Sequence, residues 1–308
     1  MKITILLFAL GLSVSIRPAA PASAPEKLKV VATISDLADI AGKIGGDRVT
    51  ITTLAKGTQN IHRVQFRPTH LVRTGEADLF LQMGLSLEHS YVPELLLAAR
   101  NPQIRPGAPG FVNCSEGWEP VEVPAEISRR DAADVHPQGN PHFNLDPAAG
   151  GFLADRILEG LIRVDPDSAD YYRERRAAYE TELAAARERW APLVEKLRGR
   201  KVVIYHQDFS YFARATGMTI AGTFEPKIGV PPTPTDLARL IELIRREGVT
   251  LLLTAKWSNN RSVHFVAEKT GAEILEVPVM VEGVAHTDSW IAMMDFLFAE
   301  IVKHFAAR

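Results

Sequence analysis

Three histidines stand at the ends of predicted β-strands or in adjoining loops. His62 lies in a loop after one such segment, His206 ends another, and His142 follows a long proline-rich loop. Neutral imidazole is a good ligand for borderline metals such as zinc, and three protein nitrogens leave one position for a carboxylate or a water. The histidines are 80 and 64 residues apart. They therefore predict either one transition-metal site or three unrelated loop histidines.

The elements around these histidines have the pattern of an α/β protein. Short β-branched runs alternate with amphipathic stretches, which is typical of helices that cover a mostly parallel sheet. The predicted strands of a first unit are 29–33, 49–54 and 77–81, and those of a second unit are 201–205, 218–224, 249–254 and 273–277. Ligands of such sheets bind at the carboxyl ends of strands, so two units predict a cleft between them.

A long helix is predicted between the two units, from Pro166 to about residue 197. Its apolar residues fall at helical spacing, and about 30 residues would span roughly 45 Å. Such a helix can act as a rigid strut between two lobes. Pro192 is predicted to kink or interrupt it, because proline lacks the N–H that a helix interior needs.

These patterns predict two Rossmann-like lobes with mostly parallel sheets, joined by a long connecting helix. We divide the chain into a signal peptide (1–24), an N-terminal lobe (25–147) with a long loop at 101–141, a helical segment (148–199) and a C-terminal lobe (200–308).

The composition excludes two classes of protein. With 46% hydrophobic residues among 308, the chain is too apolar to be disordered. Its 35 lysines and arginines against 37 acidic residues give a formal net charge of −2, so no basic excess exists to bind a phosphate backbone. We therefore expect no nucleic-acid partner. Cys114 is the only cysteine, so no internal disulfide is expected.

The first 24 residues resemble a secretory signal. Lys2 precedes an apolar run at 3–14, and Ala22-Ser23-Ala24 forms a small-x-small cleavage site. The apolar run is too short for a membrane span. No cysteine follows this region until Cys114, so we expect no lipid anchor and a protein that is free in the periplasm.

Several motifs, in order along the chain, resemble the metal-binding proteins of zinc and manganese ABC importers. They are Val30 to Ala38, Arg67-Pro68-Thr69 after the first-lobe histidine, Ala77-Asp78-Leu79, Pro141-His142-x-x-Leu145-Asp146-Pro147, and Tyr205-His206-x-x-Phe209-x-Tyr211-Phe212. The resemblance implies two α/β lobes that hold one transition-metal ion and pass it to a membrane permease. The family's three histidine positions fall on His62, His142 and His206. A histidine at the third position, where manganese proteins tend to carry a carboxylate, favours Zn²⁺ over Mn²⁺.

The fourth ligand departs from the family pattern, which usually has an aspartate after the strand at 273–277. The candidates are Glu225, Glu282, Asp288 or a bound water. Glu225 lies in a strand-end loop that resembles one subgroup of these proteins, and we include it in the predicted metal site. Its alternative role is to orient or brace the loop. Asp288 is expected to cap the last helix instead.

Three further residues are secondary candidates. Asp146 and Asp208 could accept the other N–H of a metal-bound imidazole, although Asp146 could also simply start a helix. His136 could be a capture residue, since family members often carry histidine-rich loops, but we expect it to be a solvent-exposed loop residue.

We expect a binding protein rather than an enzyme, acting as a monomer with an inner-membrane ABC permease as its partner. A zinc hydrolase could use the same three histidines, but the chain lacks His-Glu-x-x-His and Gly-x-Ser-x-Gly. An adhesin-like protein of the same fold is the remaining alternative.

Overall fold

The computed structural model of the protein describes residues 26–65, 67–125, 136–227, 229–258 and 261–307. The predicted signal peptide lies outside these residues. The described part of the chain forms two parallel-sheet lobes connected by a long helix, as predicted. None of the helices in this part of the chain has the length and apolar character needed to cross a bilayer.

The N-terminal lobe contains a four-stranded parallel sheet. Its strands are β1 (Leu28–Ile34), β2 (Val49–Ala55), β3 (Leu79–Gln82) and β4 (Phe111–Asn113), in the order β2-β1-β3-β4. The helices are α1 (Ser35–Gly45), α2 (Pro68–Gly75) and α3 (Val92–Ala99). The central strand β1 is an apolar run whose last five residues are buried, because helices and loops cover both faces of a parallel sheet.

Two helices lead from this lobe to the next, α4 (Ala149–Val164) and α5 (Ala169–Leu197). The long helix α5 continues through Pro192, so the predicted interruption does not occur. Packing near this position explains why: Trp190 is buried, stacks on Phe298 at 5.4 Å between ring centroids and donates a hydrogen bond from Nε1 to Asp295. These contacts offset the loss of the one backbone hydrogen bond that proline cannot make.

The C-terminal lobe has the same strand arrangement as the first. Its strands β5 (Lys201–Ile204), β6 (Thr219–Thr223), β7 (Leu251–Ala255) and β8 (Glu273–Val277) are all parallel, in the order β6-β5-β7-β8. The helices of this lobe are α6 (Ser210–Thr216), α7 (Pro234–Glu247) and α8 (Arg261–Thr270). Thr233 caps α7 by accepting a hydrogen bond from the backbone N–H of Asp236.

The last helix, α9 (Trp290–Ala306), links the two lobes. Its first residue, Trp290, donates from the backbone to Asp39 of α1 and from Nε1 to the carbonyl of Asn144. Ser289 caps this helix, with its hydroxyl accepting from the backbone N–H of Ala292. The expectation that Asp288 is the cap is therefore wrong, because the residue one position later has the geometry that a cap needs.

Candidate metal centre

The structure brings His62, His142 and His206 together. One ring nitrogen from each lies within 4.8 Å of the others, and all three side chains are buried. Their ring centroids are 5.1 to 5.2 Å apart in every pair. The three imidazoles, which are far apart in the sequence, thus converge on a single point and could hold one metal ion.

Two of these histidines are positioned by the same type of turn. The backbone N–H of His62 donates to Asn60 Oδ1 at 2.9 Å, and that of His142 donates to Asn140 Oδ1 at 2.9 Å. An asparagine that accepts from the backbone two residues later forms an Asx turn, which fixes the direction of the following residue. His62 follows β2 in this way, whereas His142 approaches the cleft from the segment before α4.

His206 is oriented by Glu225. Its Nδ1 donates to Glu225 Oε2 at 2.7 Å, and the same oxygen accepts from the backbone N–H of Gly229 at 2.9 Å. Because this hydrogen bond places the proton of a neutral ring on Nδ1, Nε2 presents a lone pair. That Nε2 lies 3.3 Å from Nε2 of His142. Two nitrogens bound to one tetrahedral zinc at about 2.0–2.1 Å would be separated by about 3.3 Å.

The carboxylates predicted to support the site differ in what they contact. Asp208 Oδ1 lies 3.4 Å from Nδ1 of His142, without the alignment of a hydrogen bond and without another partner among the described residues. Burial raises the pKa of Asp208 to about 6. Asp146 instead accepts from the backbone of Ala148 and from Arg214, so it starts the next segment rather than holding a histidine. Glu282 and Asp288 are exposed and lie outside the three-histidine group.

Burial keeps two of the three imidazoles in the form that binds metals. It holds the pKa of His62 and of His142 well below the ordinary value, and the neighbouring imidazoles lower both further. The rings of His62 and His142 are therefore neutral at neutral pH, with a nitrogen lone pair available.

His136 was expected to be exposed to solvent, and that expectation is wrong. Its side chain is buried, and its ring centroid lies 5.2 Å from that of His62. Burial lowers the pKa of His136 to about 4. The sequence names His136 as a possible capture residue but could not show its burial, because the contact with His62 joins residues 74 positions apart through the tertiary structure.

Two α/β lobes with convergent ligands in the cleft define a substrate-binding protein of metal transport. The family model described as "Zinc-uptake complex component A periplasmic", ZnuA, matches residues 30–304. The chain belongs to this family. It is the substrate-binding component of an ABC metal transporter and not an enzyme, which removes the hydrolase alternative.

Curated relatives agree on the class, and their names give either manganese or no particular metal. The manganese ABC transporter substrate-binding lipoprotein PsaA of Streptococcus pneumoniae is 26% identical over 290 residues, which cover 91% of this chain and 90% of the relative. The metal ABC transporter substrate-binding lipoprotein FimA of Streptococcus parasanguinis is 26% identical over 286 residues, which cover 90% of this chain and 89% of the relative.

Solved structures share the fold. A crystal structure of ZnuA superimposes with a TM-score of 0.75 at 22% identity, over 90% of this chain and 99% of that one. The Mn-bound S38A mutant of the periplasmic metal-binding protein of Candidatus Liberibacter asiaticus gives 0.73 at 21% identity, over 91% of this chain and all of the other.

The names of the relatives contradict one expectation. PsaA and FimA are both called lipoproteins, which points to lipid anchoring rather than to a protein free in the periplasm. The prediction of a free protein is therefore wrong. It rested on the lack of a cysteine near the signal-like segment.

Proposed function

We propose that this protein captures Zn²⁺ through His62, His142 and His206 and delivers it to an ABC permease. The separation of 3.3 Å between Nε2 of His142 and Nε2 of His206 carries the proposal, because it equals the spacing expected for two ligands of one tetrahedral zinc. It also brings together two segments of the chain that no local interaction connects.

The donor set favours zinc over manganese. All members of the three-residue group offer nitrogen, whereas Mn²⁺ prefers oxygen ligands. Glu225 supplies oxygen, but its carboxylate contacts Nδ1 of His206, on the side of the ring away from Nε2. We assign to Glu225 the role of orienting His206, which leaves the ion in a mainly imidazole environment.

Capture couples the ion to the arrangement of the lobes. His62 belongs to the N-terminal lobe and His206 to the C-terminal lobe, so the ion binds best when both are in place. Because the ion binds that arrangement of the lobes more tightly than others, it stabilises that arrangement, and the permease recognises the arrangement. A continuous helix α5 and the contacts of α9 should limit the closure to small shifts. Since one chain supplies all three imidazoles, we expect the monomer to be the functional unit.

Replacing His206 by Ala tests the proposal. We expect zinc affinity, measured by calorimetry, to fall on the order of 100-fold or more. Loss of only the hydrogen-bond partner of a ligating histidine already lowers metal affinity 10 to 100-fold, and loss of the ligand itself should lower it further. The matched control is His264→Ala, an exposed histidine on α8, which should leave affinity unchanged. Equal zinc affinity in both variants would overturn the proposal, and tighter binding of Mn²⁺ than of Zn²⁺ by the native protein would overturn the choice of metal.

A further inference from the structure

We infer that His136 is a fourth imidazole ligand of the bound ion, an assignment that rests on the proposed function of the three-histidine site. The side chain of His136 is only 4% exposed. Its Nδ1 lies 3.2 Å from the carbonyl oxygen of Ser86, whereas its Nε2 is buried and has no hydrogen-bond partner among the described residues.

This pattern is the one that metal-bound histidines show. A ligating imidazole almost always gives its second ring N–H to a carboxylate or a backbone carbonyl, which fixes the ring and leaves the other nitrogen for the metal. His206 has such a partner in Glu225, and His136 has one in the carbonyl of Ser86. A buried histidine with a purely structural role would use both nitrogens, as His304 does with Glu273 and Thr250.

The backbone that presents this carbonyl is held in an uncommon conformation. Gly84, Leu85 and Ser86 all have positive φ, at 95°, 49° and 62°. Two of the three are not glycine, and consecutive left-handed residues of this kind persist only where the surroundings impose them. Glu88 does so here, with its buried carboxylate accepting from the backbone N–H groups of Met83 and Gly84. The N-terminal lobe thus maintains a strained turn whose carbonyl contacts His136.

The ring of His136 lies beside the same three histidines, although His136 is outside the group whose ligand atoms lie within 4.8 Å of one another. Four imidazoles around a tetrahedral zinc would have centroids about 5.2 Å apart, and His136 lies 5.2 Å from His62. It lies 6.4 Å from His142, so the ring must approach by about 1 Å when the ion binds. His136, His142 and His206 also line one small cavity of about 30 Å³, the size of a single water or ion.

A fourth imidazole would make His136 a determinant of metal choice. Four nitrogens complete a closed tetrahedral site, which suits Zn²⁺ and leaves no position for the oxygen ligands that Mn²⁺ prefers. Removal of His136 should therefore lower the preference for zinc over manganese as well as the zinc affinity.

The test compares His136→Gln with His206→Gln and with the control His264→Gln. X-ray absorption of the zinc-loaded full chain should count four imidazoles in the native protein and three in His136→Gln. Zinc affinity of His136→Gln should fall at least about tenfold, with a smaller ratio of zinc to manganese affinity. Cooperative thermal unfolding of the apo variant checks the fold, and His136→Phe, which keeps the ring volume, should give the same three-imidazole count.

The outcomes separate the two proposals. Three imidazoles in the native protein, with unchanged affinity in His136→Gln but a loss in His206→Gln, would overturn the role of His136 and leave the zinc site intact. Unchanged affinity in both variants would overturn the proposed function itself.

Discussion

The two lobes support the metal centre in different ways. In the C-terminal lobe, Glu225 fixes the ring of His206 and is itself held by the backbone of Gly229. In the N-terminal lobe, neither ring nitrogen of His62 has a hydrogen-bond partner among the described residues, although both are buried. A buried polar atom without a partner costs about 1–3 kcal/mol. One half of the site is therefore organised before the ion arrives, and the other half gains its partner from the ion.

The largest expected effect distinguishes the two halves of the site, when one histidine is replaced in each. His62→Ala removes a ligand and should weaken zinc binding on the order of 100-fold or more. Because it also removes two buried, unpartnered nitrogens, the apo protein should lose little stability, whereas His206→Ala leaves Glu225 without its imidazole and should cost about 1–3 kcal/mol. Calorimetry and chemical denaturation of the apo variants measure both. Equal stability losses in the two variants would contradict the comparison.

A smaller effect is expected when only the orienting carboxylate changes. Glu225→Gln should weaken zinc binding 10 to 100-fold, because the ring of His206 loses a charged acceptor but keeps its nitrogen. Glu276→Gln on β8, an exposed change of the same type, is the control. If zinc affinity in Glu225→Gln equals that of the control, the C-terminal half is not organised by this contact.

Asp208 should matter less than Glu225. Its oxygen lies 3.4 Å from Nδ1 of His142 and is not aligned for a hydrogen bond, compared with 2.7 Å for the Glu225 contact. We expect Asp208→Asn to reduce zinc affinity less than tenfold. Competition with a coloured chelator measures the difference, and a loss as large as that of Glu225→Gln would show that the contact shortens when the ion binds.

The N-terminal lobe also contains a buried carboxylate, but this one joins backbone segments rather than an imidazole. Asp36 accepts from Asn144 Nδ2 and from the backbone N–H of Val281, and burial raises its pKa to about 7. The folded state thus keeps a proton that the unfolded state releases near pH 4. Since the unfolded state binds fewer protons between about pH 4 and 7, this group lowers the free energy of unfolding as the pH rises.

The smallest expected effect on the metal site follows from this carboxylate. Asp36→Asn should change zinc affinity little. In the native protein, Asp36 should lower the free energy of unfolding by up to about 1.4 kcal/mol for each unit of rising pH, and the variant should lack this decrease. Urea denaturation at several pH values between 4 and 7.5 measures the slope for both proteins. Parallel pH profiles would show that Asp36 does not hold the proton in the folded state.

Most secondary structure was predictable because its signals are local. Strand β8 has the predicted bounds, 273–277, and strand β7 lies within its predicted range, 249–254, except for its last residue. Helix α3 was missed. Its run of three leucines lacks an amphipathic period, and Leu97 remains 76% exposed while Leu95 is buried. The paired Asx turns show a signal that could have been used: an asparagine stands two residues before both His62 and His142.

The sequence by itself determined the alternating strands and helices, the long connecting helix and the placement of His62 and His206 at or near strand ends, because periodicity and turn chemistry act over a few residues. Tertiary structure alone decided the rest. The burial of His136 depends on Ser86, the orientation of His206 on Glu225, and the continuity of α5 at Pro192 on α9. Each of these contacts joins segments that only the packing of the whole chain brings within a few ångströms, so no local pattern encodes them.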